Sequence, residues 1–255
     1  MSIAEQFSLA GRQALVTGAS RGLGQAIAVA LAAAGADVWC HATTVEGTDD
    51  TAAQIRARGR QAWQVTADLS DRSAAQQLAT RVLDESRGID ILVNNAGTIR
   101  RRPATEFTLA DWDLVLRTNL DAAWLLSQAF GVPMVERGRG KIINIASLLS
   151  FQGGITVPAY TASKHAIAGL TKALANEWAA HNVQVNAIAP GYFETDNTQA
   201  LRDDAARSTS ILARIPAGRW GRPDDITGAA VFLASRAADY VNGHLLVVDG
   251  GWLAR

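Results

Sequence analysis

Tyr160 and Lys164 are the residues whose types and spacing best suit proton-transfer chemistry. They stand four apart in a segment that Pro158 and a run of alanines predict as a helix, so their side chains share one face. A phenol with a pKa of about 10 is a poor base near neutral pH, but a nearby cation favours the phenolate. At about 4 Å and an effective dielectric constant of about 20, that attraction is roughly 4 kcal/mol before desolvation costs. Such a pair can move a proton to or from an alcohol or carbonyl oxygen.

Ser147 directly follows the apolar run at 141–146, which is typical of a buried parallel strand. Its hydroxyl can hydrogen-bond the same substrate oxygen. The alternative is that Tyr160 only packs and Lys164 is solvated, although a chain with three tyrosines seldom forms this pair by chance. The catalytic interpretation therefore requires a cofactor site elsewhere in the chain.

A glycine-rich turn at 18–24 is the first candidate for that cofactor site. It follows a predicted strand at 13–17 and precedes a predicted apolar helix at 25–34, the order found in dinucleotide-binding units. Glycines allow a tight turn close to a pyrophosphate, and a helix amino terminus favours phosphate. The alternatives are a turn without a ligand and, for Arg21, a solvated surface position. The predicted contacts are Gly18, Ser20, Arg21, Gly22, Leu23 and Gly24.

Other strand ends can complete the site, because ligands of open α/β sheets bind at the carboxyl ends of strands. The predicted strand at 37–41 is followed by alanine and two threonines at 42–44, neither acidic nor basic, so NAD and NADP both stay open. Asp68 either accepts a hydrogen bond from an adenine amino group or caps the next helix. The Asn-Asn-Ala-Gly sequence at 94–97 either contacts a ribose or is only a turn. The predicted contacts here are Asp68, Leu69, Asn95, Ala96 and Gly97.

The segment after the predicted strand at 183–189 faces the same edge. Pro190 and Gly191 break that strand, and Thr195 is placed to meet a nicotinamide carboxamide or a phosphate. The stretch at 192–220 is polar and rich in arginine, which predicts a mobile flap over the site rather than core.

Two polar features lie between the strands at 89–94 and 141–146. Residues 100–102 are consecutive arginines, usually a solvated face, but one or two of them can hold an anionic substrate group by bidentate hydrogen bonds. Asn119 lies inside a long helical pattern that runs towards Arg137. It is either on the surface or a polar insertion into the helix, and the sequence favours the surface.

Composition narrows the function classes. The chain has 255 residues, 48% hydrophobic content and a formal net charge of zero, so no nucleic-acid partner is expected. The single cysteine, Cys40, allows no intrachain disulfide, and the four histidines show no metal-ligand spacing, so no metal is expected. The amino terminus lacks signal-peptide character and no apolar run is long enough for a membrane span. We therefore expect a cytoplasmic protein.

Seven predicted strands alternate with helices from one end of the chain to the other. No linker or internal repeat interrupts this order. The pattern predicts a single α/β domain over residues 1–255, doubly wound, with a mostly parallel seven-stranded sheet.

The combined motifs resemble the short-chain dehydrogenase/reductase family. The matching positions are the turn at 17–24, Asn-Asn-Ala-Gly at 94–97, Asn119, Ser147, Tyr160, Lys164, Pro190, Gly191 and Thr195. The resemblance implies a Rossmann-type fold, a nicotinamide cofactor (NAD, with NADP possible), and Tyr160 as the acid/base. It makes Lys164 the pKa partner and a ribose ligand, Ser147 the group that orients the substrate oxygen, and Asn119 the support of a water-linked proton relay. It also implies a homotetramer with an interface formed by the helices around 119–137 and 158–180.

The carboxyl half is similar to one group within that family, the 2-deoxy-D-gluconate 3-dehydrogenases and the related 2-dehydro-3-deoxy-D-gluconate 5-dehydrogenases. The likeness lies in 99–101, 141–147, 149–155, 176–178, 197–199, 214–221 and 248–255. It implies hydride transfer between the cofactor and a secondary alcohol or ketone of a sugar acid. Alternatives are a reductase for a 3-oxoacyl thioester or a polyol, and a catalytically silent cofactor-binding regulator. The implied substrate contacts are Arg100, Arg101, Ser147, Gln152 and Tyr160.

Overall fold

The computed structural model describes residues 2–255 and contains a sheet of seven strands. Each strand begins and ends within two residues of its predicted bounds. The prediction succeeds because strands buried on both faces of a parallel sheet consist of nearly continuous apolar residues. All residues of β5 and β6, as defined below, are buried. The strands are β1 (Gln13–Val16), β2 (Asp37–Ala42), β3 (Ala62–Thr66), β4 (Ile91–Asn94), β5 (Gly140–Ile145), β6 (Val183–Pro190) and β7 (Leu245–Val248).

The strand order is β3-β2-β1-β4-β5-β6-β7, and every pair of neighbours is parallel. The predicted doubly wound α/β fold is therefore confirmed, and the sheet is wholly rather than mostly parallel. The chain reverses its direction of winding between β1 and β4, which lie side by side. The carboxyl ends of the strands meet along one edge, and in such sheets the crevice at this reversal binds ligands.

Helices cover both faces of the sheet. On one face the side chains of Ile27, Leu31 and Leu233 pack against the strands, and on the other those of Leu126 and Phe130 do so. Each such side chain contributes roughly 1.5–3 kcal/mol by leaving water. The helices are α1 (Ile3–Phe7), α2 (Gly22–Ala33), α3 (Asp49–Arg56), α4 (Arg72–Glu85), α5 (Leu109–Leu116), α6 (Ala122–Glu136), α7 (Pro158–Trp178), α8 (Asp196–Asp203), α9 (Ala205–Leu212) and α10 (Thr227–Ala234).

The segment at 192–220 differs from its prediction as a polar flap without core. It forms α8 and α9, and the side chains of Ile211, Ile215 and Trp220 are buried together with Leu148 and Trp252. The prediction weighed the many arginines and the breaks at proline and glycine. The few apolar residues are spaced so that they fall on one side and anchor the segment.

None of the helices formed by residues 2–255 combines the length and the apolar character that a membrane crossing requires.

Candidate active site

Ser147, Tyr160 and Lys164 come together at the carboxyl edge of the sheet. Ser147 begins a short turn just after β5, and its Oγ accepts a hydrogen bond from the Leu149 amide at 3.1 Å. The side chains of Ser147 and Tyr160 line the same cavity, and the Ser147 hydroxyl lowers the pKa of Tyr160 in part. Lys164 lies one turn further along α7, with Nζ 5.5 Å from the centroid of the Tyr160 ring. The structure thus brings the predicted catalytic residues into one cluster.

Lys164 is a cation held almost out of water. Its relative exposure is 4%, and Nζ donates a hydrogen bond of 2.5 Å to the Ile145 carbonyl oxygen. Burial lowers the pKa of Lys164 to about 8. The side chain therefore remains protonated at neutral pH but loses its proton far more readily than a surface lysine.

The electrostatics of Tyr160 differ from the expectation that Lys164 alone favours the phenolate. Burial raises the pKa of Tyr160, while the Ser147 hydroxyl and the positive charge of Arg101 lower it in part. Arg101 is therefore a cation that lowers this pKa and that the sequence did not connect with Tyr160, since it precedes Tyr160 by 59 residues and has no helical spacing to reveal it.

Asn119 was expected on the surface, and that prediction is wrong. The long predicted helix is interrupted by a π-helical turn at Arg117–Asp121 between α5 and α6. Asn119 lies in it with 3% exposure: Oδ1 accepts from the Thr98 amide at 2.7 Å, and Nδ2 donates to the Thr98 carbonyl and to Ser163 Oγ. The extra residue of a π turn redirects side chains, and such turns are common at functional sites. Asn119 thereby ties the loop after β4 to α7.

A cleft between β1 and β4 contains most of the predicted cofactor residues. Gly18 has a left-handed φ of 63°, and a β-carbon at Gly24 would collide with the Gly18 carbonyl oxygen, so loop and helix meet at glycines. No side chain caps the amino terminus of α2, which leaves its first amides directed at the cleft. These features fit a dinucleotide pyrophosphate. The predicted residues that line the cleft are Gly18, Ser20, Arg21, Gly22, Leu23, Gly24, Asn95, Ala96, Gly97, Tyr160, Lys164, Pro190, Gly191 and Thr195.

Asp68 and Leu69 do not line this cleft. Asp68 is exposed, and its Oδ1 accepts hydrogen bonds from the Ser70 amide and hydroxyl, which hold the pKa of Asp68 below its usual value. The residue that caps α4 is Asp71. Leu69 is buried in the core beneath the sheet edge. The helix-capping alternative for Asp68 is therefore wrong, since its carboxylate closes a turn, and the contact with an adenine amino group stays a prediction.

His41 is a site residue that the sequence did not reveal. Its ring is 2% exposed, Nδ1 accepts a hydrogen bond from the Gly18 amide at 3.2 Å, and Nε2 lies 3.1 Å from the Ala67 carbonyl oxygen. These partners require a neutral ring with its proton on Nε2. The imidazole joins the glycine turn to the end of β3, and so helps to set the shape of the cleft.

The buried neutral His41 ring predicts a loss of stability in acid. Burial lowers the pKa of His41 from 6.5 to about 4, so as the pH falls below 6.5 the unfolded chain takes up a proton before the folded one does. From about pH 7 to pH 5 the free energy of unfolding should therefore fall by about 2 kcal/mol through this residue. Urea denaturation of wild type and His41→Asn at both pH values measures the difference. His165→Asn, at an exposed position, is the control, and equal pH dependence in all three proteins would contradict the assignment.

A second cavity of about 600 Å³ adjoins Tyr160 and Ser147. Arg101 and Gln152 line it as predicted, whereas Arg100 does not; Arg100 and Arg102 instead form ion pairs with Asp111. The sequence analysis missed two further arginines in its wall, Arg207 and Arg214. Among residues 2–255 no aspartate or glutamate lines the cavity, so this part of the chain presents three positive charges there without a negative one.

Comparisons with known proteins agree with this geometry. A family model described as short chain dehydrogenase matches residues 12–206. The chain is 58% identical to 2-dehydro-3-deoxy-D-gluconate 5-dehydrogenase from Bacillus subtilis over 98% of each chain. A crystal structure from Agrobacterium tumefaciens, provisionally assigned as a 2-deoxy-D-gluconate 3-dehydrogenase with bound NADP, is 59% identical with a TM-score of 0.92 and coverage of 98% and 99%. One from Beutenbergia cavernae, provisionally assigned as a gluconate 5-dehydrogenase with NADP, is 55% identical with a TM-score of 0.95 and coverage of 98% and 100%.

Proposed function

The chain belongs to the short chain dehydrogenase family, and from this premise we propose that it is an NAD(P)-dependent oxidoreductase acting on a sugar acid. The reaction is hydride transfer between the cofactor and a secondary alcohol or ketone of a 2-deoxy-D-gluconate or 2-dehydro-3-deoxy-D-gluconate type of substrate. The observation that carries the substrate class is the cavity beside Tyr160, which holds three arginines and no acidic residue. Such a lining favours a carboxylate. The activity of the Bacillus subtilis relative supports the same class.

Tyr160 is the proton-transfer residue of the proposed mechanism. In the oxidation direction it takes the hydroxyl proton of the substrate while Ser147 holds the same oxygen through a hydrogen bond, and in reduction the proton returns. The chemistry that a nicotinamide cofactor would supply, when held in the cleft by the residues named above, is the donation or acceptance of the hydride. Lys164, protonated below its pKa of about 8, keeps a positive charge beneath the ring and offsets the negative charge that Tyr160 gains. Asn119 has a positioning role, since its hydrogen bonds hold the loop after β4 against α7.

We propose that the chain accepts NADP as well as NAD. Thr43 and Thr44 follow β2 and bring no negative charge that would repel a 2′-phosphate. Arg21, on the glycine turn, lines the cleft and is paired there with Asp196, its Nε lying 2.5 Å from Asp196 Oδ2. The two related crystal structures contain NADP, which supports this proposal.

The proposal also includes assembly into a homotetramer and a location in the cytoplasm. Leu109 and Trp124 are exposed apolar side chains on α5 and α6, at 82% and 39% exposure. On α7, Ala162, Ala166 and Ala173 lie outside the fully buried core, and small residues let a partner helix approach closely. These features support an interface made by α6 and α7.

The proposed reaction predicts a specific pattern of turnover. We expect purified protein to change the reduced-nicotinamide absorbance with 2-deoxy-D-gluconate or 2-dehydro-3-deoxy-D-gluconate, with NAD and NADP tested in parallel. The matching neutral sugar should give a kcat/KM lower by about 10-fold or more, because the arginines then lack a charged partner. Turnover only of a 3-oxoacyl thioester or a polyol would replace the substrate class. Cofactor binding without turnover of any of these compounds would favour the silent regulator.

A further inference from the structure

One face of α9 forms part of the substrate cavity. Arg207, Ser210 and Ile211 all line it, and their spacing of three and four residues places them on the same side of the helix, while Arg214 lines the cavity from just past the end of α9. Ile211 is buried and fixes that face against the core.

Arg214, just past the end of α9, is already engaged. Its guanidinium carbon lies 4.0 Å from the centroid of the Trp252 ring, and the Trp252 indole N–H donates to Gln152 Oε1 at 3.3 Å. This stack places a cation and an amide together, which suits hydroxyl groups of a substrate more than its carboxylate.

Arg207 is not engaged in this way, and it lines the same cavity as Arg101. Desolvation chiefly lowers the pKa of Arg101, and the charge of Arg207 lowers it further. Within the described chain, residues 2–255, neither arginine forms an ion pair, although their neighbours Arg100 and Arg102 both pair with Asp111. Two like charges that face one cavity without a counterion repel each other, and an anion between them removes that cost.

Arg101 is held at a position where an anion in the cavity would contact the side chains of both Arg101 and Arg207. Its Nη2 donates to the Asn197 carbonyl oxygen of α8 at 3.1 Å, so the arginine is attached to the same segment that carries Arg207. The remaining guanidinium donors of Arg101 are available to a ligand in the cavity. A carboxylate has two oxygens and can accept from two guanidinium groups at once.

We propose that Arg207 is a substrate-binding residue that closes from α9 onto the substrate carboxylate and forms a clamp with Arg101. This inference rests on the proposed sugar-acid function and names a residue that determines its specificity. It also explains why a segment rich in arginine lies over the cavity. The carboxylate neutralises the repulsion between the two guanidinium groups, so an acid substrate is held by both arginines and a neutral one is not.

Arg207→Gln tests the clamp by its effect on acid and neutral substrates. We expect KM for the sugar acid to rise by about 10- to 100-fold with kcat little changed, because a uniform binding contact is lost. KM for the matching neutral sugar should stay the same. Arg207→Lys should retain part of the affinity, since it keeps the charge but not the bidentate geometry. Arg87→Gln, which removes an exposed charge before β4, is the control for net charge.

The outcomes separate this proposal from the one on which it rests. Calorimetric titration of the sugar acid into protein loaded with the redox form of the cofactor that cannot react with it measures binding without turnover. An unchanged affinity in Arg207→Gln, or an equal loss for acid and neutral sugars, overturns the clamp alone. Wild-type protein that binds no sugar acid overturns both proposals. If both arms hold one carboxylate, the losses in Arg101→Ala and Arg207→Gln will not add in the double variant, whereas additive losses would place them on different groups.

Discussion

Replacing Tyr160 with phenylalanine should lower kcat by about 10²- to 10⁴-fold, the usual contribution of a positioned acid or base. The substitution removes one oxygen and retains the ring that lies beside Lys164. No other phenol or carboxyl group lines the cavity near Ser147 apart from Tyr192, whose ring packs against Trp252 and Trp220. The proton of the substrate hydroxyl would then have no acceptor of suitable geometry.

Cofactor titration and substrate turnover together test this result. Tyr160→Phe should bind the cofactor with an affinity close to that of wild type, as followed by the quenching of tryptophan fluorescence. Tyr192→Phe is the matched control, since it removes a phenol oxygen from the wall of the same cavity and should retain most turnover. Full turnover in Tyr160→Phe would remove Tyr160 from the mechanism, and a loss that reflects only weaker cofactor binding would make it a structural residue.

The strands and the glycine turn could be predicted because their signals are local. Buried parallel strands require uninterrupted apolar residues, and the turn at Gly18 and Gly24 requires residues without a β-carbon. Motif order then placed Ser147, Tyr160 and Lys164 at one sheet edge. Each of these inferences uses residues close together in the chain.

The remaining site features depend on contacts between distant residues. Asn119 reads as a surface position because an α-helical pattern conceals the π turn that directs it towards Thr98 and Ser163. His41 reads as an ordinary polar residue because its partners, Gly18 and Ala67, each lie more than 20 residues away. In both cases the side chain forms its hydrogen bonds with groups of other segments. No residue spacing in the sequence reveals those contacts.

The arginines make the same point for the substrate site. Three consecutive arginines at 100–102 are equivalent in sequence, yet only Arg101 lines the cavity while its neighbours pair with Asp111. Arg207 is more than 100 residues further on, in a segment where charge was taken as a sign of solvent exposure. Packing decides which arginines remain without an ion-pair partner. Here those arginines are the ones that indicate the substrate site.

Replacing Lys164 with methionine should abolish most turnover and yet stabilise the folded protein at neutral pH. Turnover falls because Tyr160 loses the positive charge next to its ring. Burial lowers the pKa of Lys164 from 10.5 to about 8, which at pH 7 corresponds to a cost of about 3 kcal/mol for holding the ammonium group in the core. Loss of the hydrogen bond to the Ile145 carbonyl offsets roughly 1–2 kcal/mol of this stabilisation, so a net gain of about 1–2 kcal/mol in the free energy of unfolding is expected.

The pH dependence of this gain identifies its origin. Between about pH 8 and pH 10.5 the folded wild-type protein releases the Lys164 proton while the unfolded chain keeps it, so wild-type stability rises with pH through this residue. The advantage of Lys164→Met, measured by urea denaturation without cofactor, should therefore be largest at pH 7 and vanish or reverse near pH 10.5. Lys172→Met, at an exposed position of the same helix, should show no such trend. An advantage that is absent at pH 7, or constant with pH, would mean that burial does not destabilise the charged ammonium group of Lys164. The pKa of Lys164 would then not be lowered to about 8, and this residue would not release its proton readily beside Tyr160.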